Sequence, residues 1–419
     1  MVSTSLDSTG VDGLLSRLVS VDEHVASRYP GASSARQPVH TCYVPANDVD
    51  ADTVRWWGQE ALAALDEHAP QARDFMEILG LEPQDAEAVH PRVRRKLVEE
   101  PVEDLRIDFE DGYGRRDDET EDADAERTAG VVAEWLRDDV APGVFGLRVK
   151  SFETPQLRER SVRTLDVFLT KLLAEWGELP GGFALTFPKI VDVAQLEVFV
   201  EVLELAERRF GLGHGSLRFE IQVETTQSIV DSEGGVALPR FIRAGRGRVS
   251  GLHFGTYDYT AACGLTAAHQ HMAHGACDFA RHVMQVAAAG TGIFLSDGST
   301  NVLPVGSAAQ VRYGWERHYE LLRRSLEHGF YQSWDLHPAQ LVTRYAGVFT
   351  AFRESAPAEA GRLAAYVSDS GGTVLDEPAT ARALAASFVR ALDNGATDPD
   401  EVAEMTGLDE SRIREIGRL

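Results

Sequence analysis

The chain has 419 residues and a formal net charge of −25, from 41 Lys and Arg against 66 Asp and Glu. So acidic a surface repels phosphate backbones and anionic headgroups, which argues against nucleic acid or a membrane as partner. The three cysteines, Cys42, Cys263 and Cys277, form no CxxC pair, so neither a zinc finger nor a disulfide framework follows and a reducing cytoplasm is the expected location.

Residues 1–36 read as a leader with one amphipathic helix, Val11 to Tyr29. From residue 37 apolar, β-rich runs alternate with stretches of helical period. The expected strands are Val39–Val44, Leu105–Phe109, Gly143–Val149, Phe183–Phe187, Leu217–Val223, Val249–Phe254, Gly292–Leu295 and Phe330–Asp335. Between them the period predicts helices at Asp52–Glu67, Glu121–Leu136, Pro155–Trp176, Val193–Arg209, His274–Ala289 and Ala308–His328. Eight strands separated by helices define an α/β fold, a (β/α)₈ TIM barrel over residues 37–345. Residues 346–419 exceed what a last barrel helix needs, and they predict a C-terminal helical appendage or lid.

Chemistry in such a barrel belongs at the carboxyl ends of the strands. Charged residues gather there: Asp108, Glu110 and Asp111 after the second run, Arg148 and Lys150 at the third, and Lys189 after the fourth. Glu224, Asp258, Asp297 and Asp335 with His337 follow the fifth to eighth. Glu224 and Asp258 carry the most meaning, because two hard oxygen ligands from neighbouring strand ends, completed by water and substrate oxygens, suit Mg²⁺. The bland alternative is that strand-end carboxylates merely cap helices. Lys189 is one of only four lysines and the best placed for a Schiff base, yet a structural partnership with the acids is the simpler role. His269, His271 and His274 are spaced for zinc only in part, since 269 and 271 cannot share a helix face.

Several segments together resemble the HpcH/HpaI aldolase and citrate lyase β-subunit superfamily, including its malyl-CoA lyase-like branch. They are His40-Thr-Cys-Tyr-Val-Pro-Ala46, Asp108-Phe-Glu-Asp111, Gly146-Leu-Arg-Val149, Phe187-Pro-Lys189, Val223-Glu-Thr225, Phe254-Gly-Thr-Tyr-Asp258, Leu336-His-Pro-Ala-Gln340 and Gly372-Thr-Val-Leu-Asp-Glu-Pro378. The resemblance runs from about Pro38 to Leu392. It implies that Glu224 and Asp258 hold Mg²⁺, or Mn²⁺ in its place, and that Arg148 contacts the carboxylate or enolate oxygens of the substrate. It makes Asp376 the acid/base, delivered into a neighbouring subunit's pocket, which implies a homo-oligomer, a trimer or hexamer. Asp108, Glu110 and Asp111 would line the outer shell of the metal. Read from the residues alone, Lys189 is expected to partner those acids and His337 to make a fixed hydrogen bond at the barrel end. The chain departs from the family pattern at Lys150, at Gln332-Ser333-Trp334 and at Val374.

The expected activity is metal-assisted carbon–carbon cleavage or condensation through an enolate, on a 3-hydroxyacyl-CoA or a hydroxy-2-oxo acid. The alternatives are retro-aldol cleavage of free 4-hydroxy-2-oxo acids without CoA, or a degenerate barrel that binds a small acid or a protein partner.

Overall fold

A computed structural model describes residues 8–368 and 377–418. The strands are β1 (His40–Pro45), β2 (Asp104–Asp108), β3 (Val144–Arg148), β4 (Phe183–Phe187), β5 (Arg218–Val223), β6 (Val249–Phe254), β7 (Phe294–Ser296) and β8 (Ser333–Asp335). All pair in parallel, in the order β7-β6-β5-β4-β3-β2-β1-β8. A single parallel bridge, Ser296 to Gln332, joins the two ends of that order and closes a (β/α)₈ barrel.

The leader holds α1 (Ser8–Leu15) and α2 (Val19–Arg28), joined by a 3₁₀ turn at Ser16–Leu18. Helices α3 (Thr53–His68), α4 (Ala72–Leu79) and α5 (Pro83–Glu99) lie between β1 and β2. Then come α6 (Asp118–Arg137), α7 (Pro155–Trp176) and α8 (Val193–Phe210), each between successive strands. Short helices α9 (Thr226–Ile229) and α10 (Leu238–Ala244) separate β5 from β6, and α11 (Thr256–Ala262) and α12 (Gly275–Ala288) separate β6 from β7. Helix α13 (Ala308–Glu327) lies between β7 and β8, and α14 (Gln340–Val367), α15 (Pro378–Asn394), α16 (Pro399–Thr406) and α17 (Glu410–Arg418) follow β8. No helix among the described residues is long and apolar enough to cross a membrane.

Local chemistry fixes these boundaries. Thr154 caps α7 by accepting the Leu157 N–H, Pro155 occupies its first turn, and Gly177 ends it with φ 98°. Asp192 opens α8 with a capping box and Gly211 closes it with φ 69°. Strands β4 and β6 coincide with the runs read from the sequence. Strand β7 starts later than its run, because Gly290 and Gly292 sit at φ 74° and 75°, a turn conformation that a strand cannot use. Helices α4 and α5 were not expected, and α5 carries Pro91 within it. The expected boundary at 345/346 lies inside α14, the eighth helix of the barrel.

Outward strand residues such as Leu105, Ile107, Leu147, Leu185, Ile221 and Leu252 make the core beneath the helices. The inward residues are unusually polar. Arg106 donates to Glu220 at 2.7 Å and to Thr186 at 3.1 Å and also pairs with Asp104. His253 stands 3.3 Å from Glu220, and Gln332 donates to Thr41 at 2.9 Å. The barrel is thus filled below its mouth by a buried hydrogen-bonded ion network.

The C-terminal helices pack away from that mouth. Residues of α15 line, with Gln37, Val39 and Tyr331, a cavity of about 640 Å³. Val39 and Tyr331 lead into β1 and β8, so this is the amino end of the barrel. Arg92 on α5 holds α16 through Asp398 at 3.1 Å and Glu401 at 2.6 Å.

Glu103 ties the end of the leader to the same face. It accepts the Val39 N–H at 2.8 Å and meets Arg36 and Lys96, each at 2.7 Å. Burial alone would raise its carboxyl, but the charges of Lys96, Arg36 and His40 overcome this and hold it below the usual carboxylate range. A carboxyl depressed in the fold stabilises above its unfolded value, ~4.3, and loses that contribution as pH falls through the folded value. Glu103→Gln is therefore expected to flatten the acid limb of the Tm–pH curve below about pH 4.3. A Tm that falls with acid as steeply as in the native protein would contradict this.

Candidate active site

The carboxyl ends of β2 to β6 bring together Asp108, Glu110, Asp111, Arg148, Lys189, Glu224 and Asp258. Arg148 is the fixed point. Asp108 takes its Nε at 2.7 Å and its Nη2 at 2.6 Å, a two-pronged clamp between neighbouring strands. The Asp108 carboxylate also accepts the Glu110 N–H at 2.9 Å and the Gly112 N–H at 2.8 Å. Its lone pairs are thus committed to orienting Arg148. Gly112 is required there, since a Cβ would lie 2.6 Å from Asp108 Oδ2.

The guanidinium lies over the Tyr43 ring, 4.8 Å from its centroid, with Trp334 6.0 Å away. Its remaining nitrogen, Nη1, makes only long approaches: 3.4 Å to Gln222 Oε1 and 3.5 Å to Glu110 Oε2. One charged donor is therefore left for a ligand.

Beside it, Lys189 sits at φ 51°, a left-handed conformation that β-branched and bulky residues avoid. Its Nζ lies 2.7 Å from Glu110, 2.8 Å from Asp111 and 3.2 Å from Asp258, while its backbone N–H donates to Glu224 Oε1 at 2.8 Å. Glu224 and Asp258 thus flank one lysine. Glu224 is buried and takes a second hydrogen bond from Gln222, whereas Asp258 is half open to solvent on the first turn of α11. Gly255 makes room for Glu224, because a Cβ there would stand 2.5 Å from Glu224 Cβ and 2.7 Å from Oε2.

The electrostatics record a surplus of negative charge. Burial pushes the Glu224 carboxyl up to about 8; Lys189 opposes this, while the Glu110 and Asp258 carboxylates add to it. Burial likewise raises Glu110 to about 7 against the pull of Arg148 and Lys189. Five carboxylates, Asp108, Glu110, Asp111, Glu224 and Asp258, face two cations, Arg148 and Lys189. Among the described residues no three Asp, Glu, His or Cys side chains form a ready metal cage. The oxygen-only donor set and the unneutralised charge nonetheless fit a divalent cation held by Glu224 and Asp258, with water or ligand oxygens completing its shell.

Other strand-end groups do not join this pocket. Asp335 is bound by Arg344 at 2.8 and 3.0 Å, with His40 and His318 each 3.2 Å away. Asp297 is buried against Arg281 at 2.6 Å. His337 accepts the Ala339 N–H at 3.2 Å and shapes the turn into α14. Lys150 donates to the Phe109 carbonyl at 2.6 Å and pairs with Glu121 at 3.1 Å, holding the loop after β2. His274 caps α12. Asp376 lies outside the described residues.

The sequence assigns no site role to Tyr43, Gln222 or Trp334. Gln222 carries a usable signal, since it sits two residues before Glu224 on the same face of β5. Tyr43 and Trp334 show theirs only once β1 and β8 are paired.

The fold and pocket define a (β/α)₈ barrel whose mouth carries an acid-rich, arginine-based site. The chain belongs to the family described as "Domain of unknown function (DUF6986)", whose model matches residues 18–419. No curated protein matches it. Among solved structures it is similar to Haloferax volcanii malate synthase. For the magnesium/glyoxylate complex the identity is 15%, covering 91% of this chain and 97% of that one, with a TM-score of 0.49. For the pyruvate/acetyl-CoA ternary complex the identity is 16%, covering 90% and 97%, with a TM-score of 0.45. An HpcH/HpaI aldolase/citrate lyase family protein from Burkholderia cenocepacia J2315 is 16% identical over 65% of this chain and 88% of that one, with a TM-score of 0.36. At such values the reading of the pocket rests on its own geometry.

Proposed function

We propose that the protein is a Mg²⁺-dependent carbon–carbon lyase or condensing enzyme. It would cleave or form a bond beside a carbonyl, through an enolate, in a 3-hydroxyacyl-CoA or a hydroxy-2-oxo acid. The observation that carries this reading is Arg148: clamped by Asp108, backed by Tyr43, with Nη1 held only loosely by Gln222 and Glu110. A lone oriented guanidinium donor, buried beside acids, is suited to an oxyanion that forms during the reaction. Glu224 and Asp258 would hold the cation, and Mg²⁺ bound there would supply Lewis-acid polarisation of carbonyl and carboxylate oxygens. Tyr43 and Trp334 exclude water from the face of Arg148, which strengthens its field. Asp108 keeps the guanidinium plane fixed while charge moves. The acid/base role of Asp376 is carried by the sequence resemblance alone.

Enolate formation can be tested without the native substrate. With Mg²⁺ in D₂O, the protein is expected to exchange the methyl protons of pyruvate or of acetyl-CoA, read by proton NMR. Pyruvate exchange favours free 2-oxo acids, and acetyl-CoA exchange favours the thioester. Arg148→Lys should slow exchange at least ~100-fold, because an ammonium cannot keep the Asp108 clamp and still point one donor at the oxyanion. If neither compound exchanges, the proposal fails.

A further inference from the structure

We infer that the leader is an association arm that pairs in parallel with the leader of a second copy of this chain. Every residue from 12 to 30 is solvent-exposed. The backbone is helical without a break from Ser8 to Arg28, since Leu15, Leu18 and Val19 are all right-handed helical. The leader meets the barrel at its foot, where the Gly31 N–H donates to the Gly290 carbonyl at 2.9 Å.

The exposed residues are not the polar ones expected of a free helix. Leu14 is 62% exposed, Leu18 50%, Val21 49% and Val25 47%. With Val11 they follow a strict 3–4 spacing, 11, 14, 18, 21 and 25. That spacing is the a/d seam of a coiled coil. The opposite face holds Asp12, Gly13, Ser16, Ser20, Glu23 and Ser27. The three-residue 3₁₀ turn at Ser16–Leu18 draws the mean number of residues per turn down towards the 3.5 that a seam needs. An uncovered apolar stripe of this length marks an interaction surface.

Charge selects the occupant. The chain as a whole carries −25, which opposes self-association in general. The leader is nearly neutral: Asp12, Asp22 and Glu23 face Arg17 and Arg28 between residues 8 and 30. In a parallel, in-register pair Arg17 occupies a g position and Asp22 the following e position, so each Arg17 meets Asp22 of the other copy. Antiparallel pairing sets g against g, which would bring Arg17 to Arg17 or His24. The apolar surface continues beyond the foot, because α12, which ends two residues before Gly290, exposes Phe279 (54%) and Val286 (80%) one above the other.

The test uses the full chain. Size-exclusion chromatography with light scattering is expected to give the mass of two chains, or an even multiple. Leu18→Glu with Val21→Glu should halve that mass and leave the circular dichroism and Tm of the body unchanged, since neither side chain is buried. Cys42 and Cys277 are buried and Cys263 is exposed. In a Cys263→Ser background, Leu14→Cys should therefore link chains in pairs under mild oxidation, as facing d positions of a parallel pair do. A monomeric native protein, a mass unmoved by the double substitution, or no link through position 14 would each overturn the inference.

Discussion

Glu224→Gln is expected to weaken Mg²⁺ binding at least ~100-fold in a calorimetric titration, while the metal-free protein keeps its Tm. Glutamine keeps the length of the side chain and an oxygen that can accept the Lys189 N–H. It removes the one deeply buried carboxyl of the proposed ligand pair, and an amide oxygen is a weak substitute for a carboxylate on a small hard cation. Stability is spared because burial, helped by Glu110 and Asp258 against the pull of Lys189, already pushes the native carboxyl up to about 8, so near neutral pH the amide replaces a group that is mostly uncharged in the metal-free protein. Stoichiometric Mg²⁺ binding by the variant at native affinity would remove Glu224 from the site. Unfolding would show instead that Glu224 organises the ends of β4 and β5.

The largest effect on stability is expected inside the barrel. Arg106→Met should destabilise by about 3–5 kcal/mol in urea melts, because it takes away the guanidinium that Asp104 and Glu220 share in the barrel interior. Both are buried, Asp104 completely. Burial first, and then the nearby Glu220, push Asp104 up to about 6 even with Arg106 in place. Adding Asp104→Asn and Glu220→Gln to Arg106→Met should recover a large part of the loss, since the cost lies in unpaired charge rather than in lost volume. A loss below ~1 kcal/mol for Arg106→Met would mean that water reaches this layer.

The fold was legible where the sequence keeps one strong period. Runs such as Phe183–Phe187 and Val249–Phe254 are apolar enough, and sharply enough ended, to stand as strands without tertiary information. The ends of β7 and β8 were harder, because those strands are three residues long and their flanking apolar residues serve turns and helix packing. Helices α4 and α5 were hidden by a proline and by a charge-rich pattern whose buried members, Ala86, Val89, His90 and Val93, are small or polar. At the site, the clustering of Asp108, Arg148, Lys189, Glu224 and Asp258 followed from their strand-end positions. Which of them face each other did not. Asp297 and Asp335 hold equivalent places in sequence, yet each turns outward to an arginine on a helix, Arg281 or Arg344. A one-residue shift along a strand changes the face, and sequence-read strand ends are not that sharp. The aromatic support from Tyr43 and Trp334 depends on pairing between β1 and β8, which are almost three hundred residues apart.

Closure through the lone Ser296–Gln332 bridge gives the cylinder a zipper-like seam, set on the side away from the charged residues of β2 to β6. Amide protons on either side of that seam should be the first of the strand protons to trade with solvent, well before those of β3 and β4. The same line is where the polypeptide could best be re-spliced, with its old ends joined and new ones opened in the segment between Ser296 and Gln332. The half that carries the acid-rich pocket would then stay one uninterrupted piece.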